Sequence, residues 1–346
     1  MVDVVVVGGG PAACAAALTL RSAGVDTTVI ASPRSRDKPT ETAVPRLRQL
    51  LQSLGAAEAL AASEPCYGVE SSWGAAGPVH RPSLLDPFGH AWFIHRAPFD
   101  AALVRLVDAA GAVRLQAEAT GVGFADDRVI VSTTAGPVEA KYVVIATGSP
   151  AWAARATGQK PVTMDSLVCY WARLSLPVAS RLLHVETTDS GWWYVCPGES
   201  DTTLVCFLTD AECSRQLAPK EPSRWNALFW NTRLCHQHAL HARAEQIHGL
   251  SVSVAWLGFR RGSRWVAAGD TAIKLDPIGS SGTATALESG ALAARAVLAS
   301  QQGNQTAAEK YDRWGNSLLG EFLRRRSPLY AAEVEKFPTG FWTRRA

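Results

Sequence analysis

The sequence predicts an α/β protein in which a parallel sheet carries an inserted antiparallel sheet, with helices at the C terminus. Three observations predict this class: a buried strand that runs into glycines at the start of the chain, a second glycine cluster at 268–283, and alternating strands between the two. A chain of 346 residues has room for two domains, or for one large α/β unit with an insertion.

The composition is that of a globular chain with balanced charge. Hydrophobic residues make up 47% and charged residues 19%, and 34 basic against 31 acidic residues leave a net charge of +3. These values exclude disorder and fibres, and they predict no nucleic-acid partner and no membrane partner. No apolar stretch approaches the roughly 20 residues of a membrane span, and no basic leader precedes Arg21, so we expect a cytoplasmic location. Seven scattered cysteines without a C-x-x-C pair favour reduced thiols.

A βαβ unit is predicted at the N terminus. Residues 4–7 form a β-branched strand, the Ala-rich stretch 12–23 is helical and ends at Gly24, and a second strand covers 27–30. Such a unit has a right-handed crossover and places both strands in one parallel sheet. Further segments follow in this order: a helix at 45–62, a helix at 98–110, short strands at 114–132 and a buried strand at 142–145 that returns to the first sheet.

The pattern changes in the second half of the chain. Period-2 alternation with turn signals predicts an inserted antiparallel sheet over 163–210, and strands recur at 251–257 and 265–268. The predicted helices of this half lie at 222–247, 282–300, 305–315 and 316–335. The basic run 324–326 and the pair 344–345 are interpreted as solvated charge near helix C-termini.

The motif Gly8-x-Gly10-x-x-Ala13 stands directly after a strand and opens a helix, which is the setting of a dinucleotide-binding fingerprint. The first glycine permits a tight turn, and the second lets the backbone approach a pyrophosphate at the helix N-terminus, beside Pro11 and Ala12. Ala13 replaces the third glycine, whose role is close packing of the helix on the strand.

One part of this fingerprint is missing. An acidic residue about 20 positions further on should bind the ribose, but Ser32 stands at the end of the second strand. Ser32 can supply a weaker hydrogen bond, and Arg34 and Arg36 favour an extra phosphate. This motif therefore leaves NADP open as a ligand, although no second fingerprint marks a separate nicotinamide domain.

The second glycine cluster lies between a strand and an Ala-rich helix. It resembles the Gly-Asp motif of FAD-dependent monooxygenases of the p-hydroxybenzoate hydroxylase type, in the branch shared with tryptophan halogenases and geranylgeranyl reductases. The resemblance implies that Gly269 and Asp270 bind the ribityl chain of FAD. It also implies that a turn presents backbone N–H groups to the flavin. The residues of that turn are Pro277, Gly279, Ser280, Ser281, Gly282 and Thr283.

Three weaker motifs occur in the order of the same branch. Residues 40–45 resemble its G-E-x-x-x-P motif, with Thr40 in place of Gly, and bring Glu41 and Thr42 to the cofactor. Arg96 begins an R-x-x-F-D motif, and Thr147-Gly148 ends a strand near the adenosine half. The resemblance covers residues 1 to about 300 and implies a Rossmann-like FAD-binding domain, an inserted antiparallel β-sheet substrate domain and C-terminal helices.

The domains expected from this resemblance are discontinuous. The predicted FAD-binding domain comprises 1–70, 96–160 and 250–305, and the predicted substrate domain comprises 71–95 and 161–249. The C-terminal helices occupy 306–346.

Departures from the halogenase motifs argue against halogenation as the reaction. Residues 190–197 resemble a degraded W-x-W-x-I-P motif, from which Tyr194 and Cys196 depart. Halogenases also need a lysine that captures hypohalous acid, and no lysine occurs between Lys38 and Lys141, so halogenation is disfavoured. Hydroxylation of an electron-rich aromatic substrate fits better than alkene reduction, because tryptophans can line an aromatic cavity. An alkene reductase or a hydroxylase of a small molecule stays open as an alternative. The predicted pocket residues are Trp73, Trp92, Trp192, Trp193 and Tyr194; for the last three, ordinary packing explains the pattern equally well.

Four segments, at 70–74, 87–92, 191–194 and 341–345, are similar to the maturation flavoproteins that install tryptophan-derived quinone cofactors. That similarity implies an aromatic substrate that is a tryptophan of a partner oxidase precursor. The electron donor would bind transiently, as NAD(P)H or reduced flavin. A function of another class stays open, namely an FAD-binding chaperone of the partner oxidase, which needs no reduction cycle.

The sequence identifies neither a catalytic base nor a metal site. Glu41 is a candidate catalytic group beside the flavin, although capping of the helix that starts at Pro45 explains it equally well. Cys235, His238 and His241 have a spacing that could hold a metal on one helix face, but a solvated helix is far commoner, so no metal is predicted.

Overall fold

The computed structural model describes residues 1–33, 37–74, 77–83, 86–177, 180–240, 242–257, 264–304 and 306–346. Arg34 and Arg36, predicted above to favour an extra phosphate, and His241, whose spacing could hold a metal, lie outside these ranges.

The described residues form four sheets and nine α-helices. The strands are β1 (Val2–Val7), β2 (Thr27–Ala31), β3 (Glu41–Ala43), β4 (Glu64–Cys66), β5 (Gly68–Ser72), β6 (Val79–Pro82), β7 (Ala91–Ile94), β8 (Val113–Gln116), β9 (Ala119–Phe124), β10 (Val129–Thr133), β11 (Val138–Ile145), β12 (Val162–Thr163), β13 (Leu167–Leu174), β14 (Leu183–Thr188), β15 (Gly191–Pro197), β16 (Thr203–Asp210), β17 (His248–Ser251), β18 (Ala255–Trp256), β19 (Trp265–Ala267) and β20 (Ile273–Lys274). The helices are α1 (Pro11–Ser22), α2 (Leu47–Ser53), α3 (Arg96–Ala109), α4 (Pro150–Thr157), α5 (Ala211–Leu217), α6 (Pro222–Trp230), α7 (Gly282–Gln301), α8 (Thr306–Val334) and α9 (Gly340–Thr343).

The first sheet has the order β8-β2-β1-β11-β10-β9, and β19 also pairs with β11. Strands β1, β2, β8, β11 and β19 are parallel, whereas β9 and β10 form an antiparallel extension. The predicted βαβ unit and the predicted return of 142–145 to this sheet are both confirmed. Alternation along β1 separates two cores: Val4 and Val6 face α1 and α7, while Val5 and Val7 belong to the cluster that packs beneath α4.

The second sheet has the order β17-β13-β16-β15-β14-β5-β6. It confirms the predicted inserted sheet, with one correction, because β5 pairs with β14 in parallel. One face packs against α8 and α9, and the other packs against α6. Two small sheets have the strand orders β3-β7-β4 and β12-β18-β20. The domain boundaries given above stay predictions.

Four predicted helices differ in the structure. The predicted helix at 45–62 is interrupted, because Gly55 adopts a φ of +66° between α2 and a 3-10 turn at Ala57–Leu60. The stretch 222–247 ends as a helix at Trp230, and a separate 3-10 turn follows at Cys235–His238. The two predicted C-terminal helices are one helix, α8, whose buried residues Tyr311, Gly315 and Leu319 continue one face across the expected break.

Within the described ranges, none of the helices combines the length and the apolar character that crossing a membrane requires.

Helices α1 and α7 pack at backbone distance. A Cβ on Gly290 of α7 would stand 2.2 Å from the carbonyl oxygen of Ala12 on α1. A Cβ on Gly269, in the turn that follows β19, would stand 2.7 Å from the Ala12 Cβ. Because backbone atoms cannot yield as a flexible side chain can, glycine at 290 sets the spacing of the two helices.

We expect Gly290→Ala to lower the free energy of unfolding by about 1–3 kcal/mol, the usual cost of overpacking a tight core. Chemical denaturation measures this. The matched control is Gly320→Ala on α8, where an added Cβ meets only the end of the Arg324 side chain at 3.4 Å. The control should be neutral or slightly stabilising, because alanine favours a helix interior. Equal stability of the two variants would contradict the prediction.

Candidate functional site

The turn between β1 and α1 is packed on one side and accessible on the other. Gly8 has a φ of +136°, and a Cβ there would stand 2.1 Å from the carbonyl oxygen of Ala146, so only glycine fits. At Gly10, the N-cap of α1, a Cβ would meet nothing within 4 Å. The first N–H groups of α1, at Ala12 and Ala13, have no acceptor within the helix. This arrangement suits a pyrophosphate.

The second glycine cluster forms two 3-10 turns, Gly269–Thr271 and Pro277–Gly279, which precede α7. Asp276 caps the second turn, because its Oδ1 accepts a hydrogen bond from the Ile278 N–H at 3.0 Å. Gly282, the first residue of α7, is exposed, and a Cβ there would meet nothing within 4 Å. A second accessible helix N-terminus therefore lies among the residues that the resemblance assigns to the flavin.

The predicted cofactor segments meet in space. The Gly148 N–H donates to Thr271 Oγ1 at 2.9 Å, which joins the end of β11 to the Gly-Asp turn 123 residues later. Thr147 and Thr271 also share a hydroxyl contact at 3.3 Å. The Val44 N–H donates to the Ser280 carbonyl at 3.2 Å. This bond joins the β3 segment to the turn at 277–283, which the resemblance assigns to the flavin and which is called the flavin turn below. Motifs that are separate in the sequence thus form one site.

Glu41 is held by two partners. Arg96 pairs with its Oε1, and the Thr283 hydroxyl donates to its Oε2 at 2.6 Å. Burial alone would raise the pKa of the Glu41 carboxyl, but the Arg96 charge and the Thr283 hydroxyl hold it below its ordinary value. A carboxylate that is ionised and engaged at both oxygens is poorly suited to act as a base.

The capping interpretation of Glu41 is wrong. Helix α2 begins at Leu47, and no side chain caps it at Arg46. Glu41 instead connects β3 to α3 and α7, the elements that carry Arg96 and Thr283. Its contacts make it a positioning residue for the flavin turn.

Two polar groups among the predicted cofactor residues have no protein partner within the described part of the chain. The half-buried Asp270 carboxylate accepts no hydrogen bond, and burial raises its pKa. Thr42 Oγ1 is also buried without a partner. A ribityl chain and a flavin ring offer the hydroxyl, N–H and carbonyl groups that such atoms need. Ser32 is exposed directly after β2. These residues fit FAD, and their individual assignments stay predictions.

A buried hydrogen-bond network of Asp276, Arg326, Tyr330 and Trp192, called the knot below, joins the flavin turn to α8. Asp276 is 1% exposed, and its Oδ2 accepts hydrogen bonds from Arg326 Nε at 2.9 Å and from the Tyr330 hydroxyl at 2.8 Å. The Tyr330 hydroxyl in turn accepts from Trp192 Nε1 of β15 at 3.1 Å. Arg326 also pairs with Asp165 at 2.8 Å. The chain Trp192–Tyr330–Asp276 therefore connects the second sheet to the flavin turn.

Part of the basic C terminus is buried, which corrects its interpretation as solvated charge. Arg326 is 7% exposed and occupies the knot, and Arg345 is 6% exposed and pairs with Asp210 at 3.2 Å. Sequence reasoning missed both pairs, because their partners lie 50 and 135 residues away in the chain.

The five predicted pocket residues do not line one cavity. Trp73, Trp192 and Tyr194 belong to one hydrophobic cluster, on the side of the second sheet that α8 covers. Trp193 points to the opposite face and packs against Phe207, Trp225 and Phe229. Trp92 lies in the core of the first sheet, with the Arg48 guanidinium 4.8 Å from its ring. Consecutive strand residues alternate between faces, and so the pair 192–193 cannot share a pocket.

Three cysteine thiols lie close to Tyr194, and no motif in the sequence indicates this arrangement. Tyr194 of β15 stands opposite Cys206 of β16, and Cys169 and Cys196 are also close to this group. Burial and the neighbouring groups hold the pKa of Tyr194 and of Cys206 well above their ordinary values. Burial likewise raises the pKa of Cys196. Protonated thiols are poor nucleophiles, and therefore this face is apolar and chemically quiet.

A wide groove crosses the far end of the second sheet, with a volume of about 1490 Å³. Its walls come from β14 and β15, from α5 and α6, and from the C-terminal segment. Residues that line it include Glu70, Asp189, Trp193, Gln237 and Phe341.

Comparisons with known proteins agree with this architecture. A sequence profile described as pyridine nucleotide-disulphide oxidoreductase matches residues 2–169. The protein described as "Putative FAD-dependent oxidoreductase LodB", from Marinomonas mediterranea, is 25% identical over 369 aligned positions, which cover 99% of this chain and 96% of that protein.

Two solved structures resemble the whole chain. CmlS, a flavin-dependent halogenase, has a TM-score of 0.87 at 20% identity, covering 99% of this chain and 67% of its own. The peptidyl tryptophan dihydroxylase QhpG, described as essential for tryptophylquinone cofactor biogenesis, has a TM-score of 0.76 at 22% identity, covering 99% of this chain and 78% of its own. The predicted fold class and the predicted FAD cofactor are confirmed. The chain is a flavoenzyme with the fold of the FAD-dependent oxidoreductases.

Proposed function

We propose that this chain is an FAD-dependent monooxygenase that hydroxylates an electron-rich aromatic group, a tryptophan side chain of a partner protein, during the biogenesis of a quinone cofactor. NAD(P)H or reduced flavin would deliver the electrons transiently. The observation that carries the proposal is the continuity between the flavin turn and the second sheet. Ile278 of that turn packs against the same cluster as Trp192 and Tyr330.

The face beside the flavin turn is suited to an aromatic substrate. Apolar, aromatic and thiol groups around Tyr194 fill the space between this face and α8, so the wall that a reacting ring would meet at the flavin turn is dry. When bound, FAD supplies the activated oxygen, and the protein supplies position. An electron-rich indole needs no strong base, which agrees with a Glu41 whose two oxygens are already engaged.

Two observations favour hydroxylation of a protein over halogenation of a small molecule. The chain has no lysine between Lys38 and Lys141, where the halogenases of this branch carry the lysine that captures the oxidant. The likeness to QhpG, whose description names a peptidyl tryptophan, points in the same direction.

A chaperone that binds FAD without turning it over is the second candidate function. The buried residues Asp276, Arg326 and Tyr330 favour the chaperone function, because their polar groups are engaged with one another and hold the structure rigid. The two functions differ in one observable, because only the monooxygenase adds oxygen to its partner.

We expect co-expression with a quinone-enzyme precursor to add oxygen atoms to a tryptophan of that precursor. Intact-mass and peptide mass spectrometry measure this. The control is Asp270→Ala, which removes the carboxylate predicted to bind the ribityl chain and should leave the precursor mass unchanged. If the precursor stays unmodified although the wild-type protein is loaded with FAD and can be reduced, the result favours the chaperone and contradicts the monooxygenase function.

We expect Tyr330→Phe to weaken FAD binding by about 5- to 100-fold, since it removes one hydrogen bond to Asp276 and leaves the buried Trp192 N–H unpaired, a cost of roughly 1–3 kcal/mol. Fluorescence titration of the apoprotein with FAD gives the dissociation constant. The matched control is Tyr170→Phe, which removes a hydroxyl contact to Ser214 outside the knot. If both variants bind FAD equally well, the knot does not position the flavin turn.

A further inference from the structure

A cluster of two histidines and a glutamate lies on the second sheet, outside the flavin site. Glu70 of β5 and His184 of β14 are direct partners in the parallel pairing of these strands. His238 approaches from the 3-10 turn Cys235–His238. His184 Nδ1 lies 2.9 Å from Glu70 Oε2, His238 Nε2 lies 3.9 Å from the same oxygen, and the two imidazole rings stack with centroids 3.4 Å apart.

The position of His238 is fixed by a buried carboxylate. Glu186, two residues after His184 on the same face of β14, is 5% exposed. It accepts backbone hydrogen bonds from Arg233 at 2.7 Å, Leu234 at 2.7 Å and Cys235 at 2.9 Å. These bonds anchor the start of the turn that carries His238. A charge buried for this purpose holds the cluster in place before any ligand arrives.

One ring nitrogen of the cluster has no partner. His184 is 1% exposed, and its Nε2 is buried without a hydrogen bond in the described part of the chain. Without an ion, Nδ1 donates to Glu70 Oε2, and Nε2 is left with a buried lone pair, which is costly. A divalent ion between Nδ1 and Oε2 instead takes the place of that hydrogen and makes Nδ1 the ligand atom of His184.

We propose that Glu70, His184 and His238 bind a divalent transition metal of the Zn²⁺ type, with one oxygen and two ring nitrogens as ligands. One potential ligand atom from each residue lies within 4.8 Å of the others. Zinc bonds of about 2.0–2.2 Å place such atoms roughly 3.3–3.5 Å apart, so binding requires the stacked His238 ring to rotate until its Nε2 and His184 Nδ1 point to one ion. Two histidines with one carboxylate are a recurrent zinc ligand set that leaves a fourth position for water.

The site is separate from the flavin chemistry. His184 and Glu186 stand opposite Val195 and Trp193 on β15, so they face the side of the sheet away from Trp192 and Tyr194. Glu70 also lines the groove, which gives an ion a route from solvent. The metal would thus join β5, β14 and the 232–238 segment, whatever reaction the flavin performs, and the proposal does not depend on the proposed function.

The test uses the full-length, FAD-loaded protein after chelation and dialysis. Isothermal titration with Zn²⁺ should give one site per chain, and Co²⁺ should give the ligand-field absorption of a low-symmetry nitrogen and oxygen site at wavelengths beyond the flavin bands. Glu70→Gln and His238→Ala should each weaken Zn²⁺ binding by about 10-fold or more. The matched control, His248→Ala, removes a histidine of the same sheet that stacks on Trp171 and should bind like the wild type.

Circular dichroism and the flavin spectrum establish that each variant is folded. Zn²⁺ binding that is equally strong in wild type, Glu70→Gln and His238→Ala would assign the ion to other surface groups and overturn the proposal. So would a wild-type protein that binds no Zn²⁺, or a Co²⁺ spectrum that these two substitutions leave unchanged.

Discussion

The backbone contact between α1 and α7 is the constraint on which the rest of the structure depends. Gly290 and Gly269 both approach Ala12 more closely than any side chain would allow. Each of the two helices starts at or beside a glycine with free surroundings, Gly10 for α1 and Gly282 for α7. Packing that fixes the helices therefore also fixes the two positive N-termini relative to each other, as an extended dinucleotide with an anionic centre requires.

The second sheet is connected to this frame by buried charge. Arg326 joins two carboxylates, Asp276 and Asp165, and Tyr330 adds a neutral donor to Asp276. A buried ion pair gains little stability over an apolar replacement, because desolvation offsets the attraction. Its geometry is nevertheless directional, and it fixes the turn at Pro277–Gly279 against the sheet that carries Trp192. Such a knot contributes position more than free energy.

Local sequence signals predicted the first sheet, its helices and the cofactor segments. Contacts between residues far apart in the sequence could not be predicted from such signals. The β-branched run of β1, the glycines of both turns and the Ala-rich helices have meaning within a few residues, so the α/β class and the convergence on FAD could be inferred. Whether Arg326 is solvated or buried depends on carboxylates 50 and 161 residues away. The end of α6 at Trp230 depends in the same way on a distant residue. The Glu186 carboxylate accepts hydrogen bonds from the backbone N–H groups of residues 233–235, which a longer helix would use internally.

Alternation along β14 and β15 explains why one sheet can hold two unlike chemical environments. Odd and even positions of a strand point to opposite faces, so Trp192 and Tyr194 share a face with Val185, while Trp193 and Val195 share the other with His184 and Glu186. The first face packs aromatic rings and thiols such as Cys206, whose pKa burial raises, and its charge is confined to the paired Asp276 and Arg326 beside the flavin turn. The second face concentrates imidazole and carboxylate groups. The sheet between them is one backbone thick, and therefore polar ligands can gather on one side while the other side stays apolar for an aromatic ring.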